Sequence, residues 1–381
     1  MIKYCTECLF PSTKPHLLFQ GGVCNACINF KNRIEIDYSA RQVEFKKIVG
    51  ELKRHNKSGW DCVVPVSGGK DSTYQVLKIL EFGLKPLCVT SSTCDLSEIG
   101  RYNIENLKKL GVDLIEFSPN INVRRKLNRA GLRLVGDIAW PEHVGIFTIP
   151  VNIAIKFKIG AIFWGENSQN EYGGPESAIN KNELDRRWLE EFGGLIGLRV
   201  EDLIGTEELK REDLIPYFYP DEKLLGESNV RGYFLGHYFP WDGLNNFLIS
   251  QAFGFQAFEQ PVEGSMVSYE NLDNFQHGIH DYFKFLKFGY GRTTDQVSLH
   301  IRRNRITREE GKQIVERHEG KFPKTYLGKK LEAILEEIEM TIDEFTSICE
   351  KFTNKKLFLQ NQNGILIRNT SGDLIKTNYD N

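Results

Sequence analysis

Residues 62–72 read CVVPVSGGKDS, and this stretch decides the fold. Residues 62–66 form a continuous apolar run, as expected of a strand buried on both faces of a sheet. Pro65 cannot donate a hydrogen bond to a neighbouring strand, so we place it near the strand end. A glycine-rich turn and a helix predicted over 72–82 follow. Because two glycines let the backbone approach an anion and a helix N-terminus offers unpaired N–H groups, this unit predicts phosphate binding.

The loop itself supplies suitable polar groups. Its members are Ser67, Gly68, Gly69, Lys70, Asp71 and Ser72. The serines offer hydroxyl donors, the lysine a point charge, and the aspartate an indirect Mg²⁺ contact or a helix cap. The spacing is neither that of a Walker A loop nor that of the GxGxxG dinucleotide fingerprint. The alternative interpretation is an ordinary glycine turn with a Ser/Asp helix cap, but the full SGGKDS stretch favours phosphate binding.

The residues after the loop continue to alternate between strands and helices. Strands are predicted at 87–90, 113–117 and 161–164, and helices at 97–110 and 141–159, the first with Asp95 and Glu98 as a capping box. This alternation predicts an α/β fold with a doubly wound parallel sheet and right-handed crossovers. Thr90 and Gly165 end two of the strands at the carboxyl edge, where such sheets bind ligands, so both are ATP-binding candidates.

Four units are predicted along the chain. Residues 1–32 are a four-cysteine zinc-ribbon module, and residues 33–58 are a linker helix. Residues 59–255 are the nucleotide-binding domain, with a polar, irregular insertion at about 168–235 and a closing helix near 242–253. Residues 256–381 are a mainly helical C-terminal substrate or partner region, which ends in short strands after about residue 356. Capping boxes are predicted at Thr307 with Glu310 and at Thr341 with Glu344.

Two CxxC pairs lie in the first 30 residues. Cys5 and Cys8 are separated from Cys24 and Cys27 by fifteen residues, which is the spacing of a zinc ribbon. Four thiolates leave zinc no open coordination position, so the predicted role is folding or docking. Redox disulfides and an Fe–S site are the alternatives. The remaining cysteines are interpreted as small buried apolar side chains; they are Cys62, Cys88, Cys94 and Cys349.

Further polar candidates follow the last predicted strand. Glu166 could hold Mg²⁺ or position an incoming amine, or it could simply be a turn residue. Asn167, Glu171 and Tyr172 lie on the same edge and are substrate candidates. His143, near the start of the buried helix, is interpreted as a capping or core histidine.

An aromatic and basic block covers residues 280–305. Lys287, Arg292 and Asp295 are its functional candidates, because an Arg among glycines and aromatic rings could bind an anionic sugar nucleotide. Arg303 and Arg308 are interpreted as a solvated basic helix face.

Composition limits the function classes. The chain has 381 residues, and 40% of them are hydrophobic, which excludes a mainly disordered chain. Its net charge of -2 weighs against a dedicated nucleic-acid binder. No secretory signal and no bilayer-spanning stretch are expected, so the predicted location is the cytoplasm.

The SGGKDS stretch resembles the PP-loop of the ATP pyrophosphatase superfamily, which includes asparagine, GMP and NAD synthetases and tRNA thiolases. A longer co-linear series is more specific: the four cysteines, SGGKDS, GENxxNEYGG at 165–174, Trp241-Asp242, and HDYxKFxKFGYGRTTD at 280–295. This series resembles the N-acetyl sugar amidotransferases of bacterial surface-polysaccharide synthesis, the WbpG and PseA type.

The resemblance implies a chemical plan. ATP and Mg²⁺ would adenylate the oxygen of a sugar N-acetyl group, and ammonia would displace AMP to leave an acetamidino group, in lipopolysaccharide O-antigen or related glycan synthesis. The implied catalytic residues are Lys70, Asp71, Glu166, Lys287 and Arg292. Because no glutaminase motif is evident, ammonia would come from a separate glutaminase through a cyclase-like barrel partner.

Two other function classes are left open. A tRNA thiolase would need a persulfide cysteine or an Fe–S set beyond the loop, and a basic surface. A non-catalytic adaptor would use its zinc ribbon for docking and its nucleotide site only to sense ATP.

Overall fold

The computed structural model describes residues 2–33, 36–56, 58–166, 172, 183–184 and 195–377. The N-terminal half contains β1 (Phe19–Gln20), β2 (Val23–Cys24), α1 (Asn25–Asn32), α2 (Tyr38–His55), β3 (Cys62–Pro65), α3 (Lys70–Glu81), β4 (Pro86–Ser91), α4 (Glu98–Lys108), β5 (Asp113–Phe117), α5 (Ile121–Val135), α6 (Trp140–Phe157) and β6 (Ala161–Trp164).

The second half continues with β7 (Glu183–Leu184), three 3₁₀ turns (Val200–Leu203, Thr206–Glu208, Arg211–Tyr217), α7 (Glu222–Ser228), β8 (Arg231–Phe234), α8 (Leu235–Tyr238) and α9 (Gly243–Ala252). The C-terminal region contains α10 (His277–Phe288), α11 (Arg292–Arg302), α12 (Arg308–His318), β9 (Thr325–Tyr326), β10 (Lys329–Lys330), α13 (Leu331–Glu336), α14 (Ile342–Phe352) and a final 3₁₀ turn (Lys355–Leu357).

A six-stranded sheet forms the centre of the fold, with strand order β5-β4-β3-β6-β8-β7. β3 pairs in parallel with β4 and β6, and the parallel pairing continues to β5 on one side and β8 on the other. Only β7 runs antiparallel among these strands. The strand order reverses beside β3, so the phosphate-loop stretch lies at the switch point where doubly wound sheets bind ligands. The predicted fold class is confirmed.

Helices cover both faces of the sheet. On one face Val64 of β3 and Phe163 of β6 pack against Phe45 of α2. On the other face Val63 of β3 packs with Ile149 of α6. Neighbouring residues of β3 thus belong to different cores, which is the burial pattern that a continuous apolar run predicts.

Three local expectations differ from the structure. Helix α5 was not predicted, because it carries basic side chains between its apolar ones. The capping box at Asp95 and Glu98 is wrong: Ser97 is the N-cap of α4 and accepts a hydrogen bond from Gly100 N, while Asp95 pairs with Lys329. The stretch 231–234, predicted as the end of an insertion, is the parallel strand β8 next to β6.

Other local predictions are confirmed. Thr307 and Glu310 form a reciprocal capping box at the start of α12. Thr341 caps α14 by accepting a hydrogen bond from Glu344 N. Among the described residues, no helix is both long and apolar enough to cross a bilayer.

Candidate active site

The phosphate loop connects the end of β3 to the first turn of α3. Its hydroxyls organise the backbone: Gly69 N donates to Ser67 Oγ at 3.3 Å, and Ser72 Oγ donates to Gly69 O at 3.0 Å. Gly69 is the N-cap of α3, and within the described residues no side chain caps this helix N-terminus, whose N–H groups could bind an anion. The Ser/Asp cap of the alternative interpretation is absent there.

Gly68 is required by both its conformation and its surroundings. Its φ is +81°, and an added Cβ would lie 2.8 Å from the amide nitrogen of Ile104. The loop therefore passes directly against α4, and a larger residue would displace it.

We expect Gly68→Ala to lower the free energy of unfolding by about 1–3 kcal/mol and to weaken ATP binding, because the strained loop must move. Denaturant unfolding with and without ATP measures both effects. Gly69→Ala is the matched control: its φ is -68°, and its Cβ would meet only the flexible Ser67 Oγ, at 3.3 Å. Equal losses in the two variants would contradict this explanation.

Lys70 lies in a network of acidic groups at the start of α3. Its Nζ pairs with Asp71 and lies 3.4 Å from Glu270 Oε1. Asn246 Nδ2 donates to Asp71 Oδ1 at 2.8 Å, and Ser250 Oγ donates to Lys70 O at 2.7 Å, so α9 fixes both residues. Burial alone would lower the pKa of Lys70, but the two carboxylates raise it above its usual range. The lysine is therefore a permanent cation beside the loop.

A cavity of about 520 Å³ opens at the carboxyl edge of the sheet, bounded by the loop, by β4 and β6, and by the C-terminal region. Ser91 and Thr93 line it, and their hydroxyl oxygens are buried and make no hydrogen bond within the described residues. Such orphaned donors next to a phosphate loop fit a polar ligand such as ATP. Mg²⁺ would find oxygen ligands in the carboxylates of Asp71, Glu166 and Glu270, which line the same cavity.

Arg292 reaches the cavity from the N-terminus of α11. Glu319 Oε2 holds this terminus by accepting from Gly291 N at 2.8 Å and from Thr294 N at 2.9 Å. Arg292 donates to both carboxylate oxygens of Asp281, at 3.2 and 3.3 Å. Burial alone would lower the pKa of Arg292, but Asp281 and Glu270 raise it. The guanidinium is thus fixed in place as a cation at the cavity wall.

Most of the predicted site residues are brought together. The cavity is lined by Ser67, Gly68, Gly69, Lys70, Asp71, Ser72, Thr90, Gly165, Glu166, Tyr172 and Arg292. Burial, with Glu270 and Asp295 nearby, raises the pKa of Tyr172 well above its usual range, so the phenol stays protonated. Asn167 and Glu171 lie outside the described residues.

Lys287 and Asp295 are not among the residues that line the cavity. Lys287 Nζ donates to the backbone oxygens of Val135 and Gly136, at 3.1 and 3.0 Å, and so ties α10 to the end of α5. Asp295 is buried on α11 and pairs with Lys284. In both cases the spacing to Arg292 along the chain suggested a shared site, but the helices turn these side chains elsewhere.

His143 is not a core histidine. It is half-buried, lines the cavity, and lies beside Asp137 and His280. Glu270 and His280 were also missed as site residues. Sequence offers no local signal for the contact of His280 with Asp137 or of Glu270 with Lys70, because each pair is separated by more than a hundred residues.

The four N-terminal cysteines are buried and form one cluster. Their sulfurs all lie within 4.8 Å of one another, with Cys5 Sγ 3.8 Å from Cys27 Sγ and Cys8 Sγ 3.7 Å from Cys24 Sγ. Zn–S bonds of ~2.3 Å in a tetrahedron place sulfurs about 3.8 Å apart, so the arrangement fits a structural zinc site. Backbone amides support the sulfurs: Cys8 N and Cys24 N both donate to Cys5 Sγ, at 3.5 and 3.3 Å.

This cysteine module docks on the C-terminal region. Arg308 donates to the backbone oxygens of Cys8 and Cys5, at 3.2 and 3.4 Å, and Leu9 N donates to Ser298 Oγ at 3.3 Å. Arg303 pairs with Asp242 at 3.0 Å. The expected solvated basic face is therefore wrong for both arginines, since each has an internal partner.

The parallel sheet, the SGGKDS loop at its switch point and the cavity above it define a doubly wound α/β protein whose phosphate loop resembles the PP-loop. Residues 263–371 match the family described as "LPS biosynthesis protein WbpG-like, C-terminal domain". This match confirms the resemblance to the WbpG type over the C-terminal region. The comparison with curated proteins found no significant match.

Among solved structures, the chain is similar to NMN synthetase from Francisella tularensis, with 13% identity and a TM-score of 0.29; the match covers 51% of this chain and 92% of that chain. It is also similar to the NH3-dependent NAD synthetase from Campylobacter jejuni subsp. jejuni in complex with the nitrate ion, with 11% identity and a TM-score of 0.30. This second match covers 58% of this chain and 98% of that chain.

Proposed function

We propose that the protein is an ATP-dependent amidotransferase that converts the N-acetyl group of a sugar or nucleotide-sugar into an acetamidino group, in the synthesis of lipopolysaccharide O-antigen or a related surface glycan in the cytoplasm. One observation carries the proposal. The phosphate loop and the WbpG-like segment line the same cavity, since Glu270, His280 and Arg292 face the space that Lys70 and Asp71 face.

The first step activates a poor electrophile. The acetamido oxygen attacks the α-phosphorus of ATP, and pyrophosphate leaves with the electrons of the broken P–O bond. The loop amides of Gly68 and Gly69 and the cation of Lys70 bind the departing phosphates, where negative charge develops. Mg²⁺, when bound, neutralises part of that charge, and Asp71 and Glu166 would hold it.

The second step replaces oxygen by nitrogen. Ammonia bonds to the adenylated carbon, and AMP then departs with the former acetamido oxygen, which leaves an amidine. Arg292 and Tyr172 would position an anionic sugar substrate across the cavity, because the first offers a bidentate cation and the second a protonated phenol. We propose that a separate glutaminase subunit supplies the ammonia through a cyclase-like barrel partner.

Sulfur transfer is the weaker alternative. Burial raises the pKa of Cys88, Cys94 and Cys349 to about 12 in each case. These thiols are protonated at neutral pH and are poor nucleophiles, whereas a thiolase needs a reactive thiolate or persulfide. The described residues therefore give no support to the tRNA thiolase.

Product analysis tests the proposed function. The protein is incubated with ATP, Mg²⁺, ammonium and a panel of acetamido sugars and nucleotide-sugars, and products are separated by mass spectrometry. We expect AMP, pyrophosphate and one sugar with the small mass decrease of exchanging C=O for C=NH. Formation of ADP as the only nucleotide product, or AMP without an altered sugar, would contradict it.

A further inference from the structure

An Asp–His–His cluster lies at the cavity wall, apart from the phosphate loop. Asp137 follows α5 and is buried, with a side chain only 2% exposed. Its Oδ1 lies 2.7 Å from Nδ1 of His280, and its Oδ2 lies 3.3 Å from Nδ1 of His143. The two imidazole rings stand edge to face with centroids 5.2 Å apart, and both line the cavity. Two imidazoles at the cavity wall thus share one carboxylate.

The carboxylate determines which nitrogen of His280 carries the proton. Burial alone would raise the pKa of Asp137, but His280 and His143 hold it well below its usual range, so Asp137 is ionised. An ionised carboxylate 2.7 Å from Nδ1 accepts a hydrogen bond from it. Ala139 N also donates to Asp137 Oδ1, at 2.9 Å, which fixes the carboxylate. Neutral His280 then keeps its lone pair on Nε2, the nitrogen that Asp137 does not use.

We propose that the wall formed by Asp137 and His280 is the ammonia subsite, and that His280 Nε2 accepts the proton that the nitrogen loses after it bonds to the adenylated carbon. This proposal rests on the proposed function. Asp137 is a positioning residue, which orients His280 and stabilises the imidazolium. His143 shares the carboxylate and is a second member of the same wall.

The proton and the electrons balance in this step. The nitrogen lone pair of ammonia forms the C–N bond, which leaves the nitrogen with a positive charge and three protons. One N–H bond breaks, its electrons stay on nitrogen, and the proton goes to His280. The C–O bond to AMP then breaks toward oxygen, and the product leaves as an amidinium cation. His280 returns its proton to solvent before the next turnover.

Several ionisable groups face His280. Asp137 and His143 lie on the other side of the cluster. His277 and Asp281 lie on α10, the same helix as His280. Asp281 in turn pairs with Arg292 of α11. Burial lowers the pKa of His277, so this imidazole is neutral at neutral pH.

Separate assays of the two half-reactions test the proposal. Sugar-dependent exchange of labelled pyrophosphate into ATP, without ammonium, reports adenylation, and amidine formation reports the whole reaction. His280→Gln is expected to keep the exchange within a few-fold but to lower amidine formation by about 10²- to 10⁴-fold. Added imidazole should restore part of the amidine formation that His280→Gln loses. His318→Gln, on α12 and outside the cavity lining, is the matched control.

The results that would overturn the ammonia subsite differ from those that would overturn the proposed function. Unchanged amidine formation in His280→Gln, or equal loss of exchange and amidine formation, would overturn the ammonia subsite while the proposed function stands. A wild-type protein without sugar-dependent exchange would instead overturn the proposed function. A stoichiometric metal ion that wild type holds beyond the cysteine cluster, and that His280→Gln lacks, would identify the cluster as a metal site and overturn the proton-acceptor role.

Discussion

Replacing Lys70 by methionine is expected to lower the rate of AMP formation by about 10²- to 10³-fold. Methionine keeps much of the length and volume of the side chain but removes the cation. The side chain of Lys70 is only 7% exposed and lies beside the phosphate loop, so its charge acts on the departing pyrophosphate with little screening by solvent. Quantifying AMP over time, at saturating ATP and sugar, measures the effect.

A matched lysine on the same helix provides the control for this variant. Lys78 lies two turns further along α3 and pairs at the surface with Glu81 at 2.7 Å. Lys78→Met should change the rate by less than a few-fold, because that cation is far from the loop. If Lys70→Met retained wild-type AMP formation, the phosphate loop would not be the site of the chemistry.

Replacing Cys8 by serine is expected to abolish zinc binding and to unfold the cysteine module. The four sulfurs have the separations of a zinc tetrahedron, and apparent binding free energies of structural zinc are about 10–16 kcal/mol, far above what so small a module gains from its own core. Elemental analysis of the purified protein should fall from about one zinc per chain to none. Module unfolding would show as rapid proteolysis near the N-terminus.

Cys94→Ser is the control for the zinc prediction. Cys94 is half-buried, lies near Asn128 and Gln276, and is not part of the cysteine cluster, so this variant should keep its zinc. Wild-type protein that carries iron with visible absorption bands, in place of zinc, would contradict the structural-zinc assignment. Because Arg308 binds the backbone of the module, Cys8→Ser should also leave α12 more open to proteases.

The phosphate loop could be predicted from the sequence because its determinants are local. Glycines, hydroxyls and a lysine follow one buried strand within eleven residues, and the run of β-branched side chains in β3 identifies its two-sided burial. Zinc ligation is similarly local, since two CxxC turns each bring two sulfurs together. In both cases, the spacing of the residues along the chain is enough to predict how their side chains lie in the folded protein.

The opposite wall of the cavity could not be predicted in this way. Asp137 and His280 are 143 positions apart, and only tertiary packing of α10 against the end of α5 brings them into contact. The same holds for α5 itself, whose Arg124, Arg129 and Arg133 look exposed in sequence. Each pairs with a distant glutamate, and Arg124 is fully buried against Glu142 at 2.9 Å. Because the glutamates that neutralise these arginines come from other elements of the chain, the hydrophobic periodicity of α5 does not show that the arginines are buried.

In the proposed reaction, the acetamido oxygen of a sugar attacks ATP at the α-phosphorus. An isotope experiment tests it most directly: a substrate labelled with oxygen-18 in its acetyl carbonyl is converted with ATP, Mg²⁺ and ammonium, and the products are examined by mass spectrometry. We expect the label in the phosphate of AMP, and none in the amidine product or the pyrophosphate. Label in pyrophosphate or inorganic phosphate, or label retained in the sugar, would contradict it.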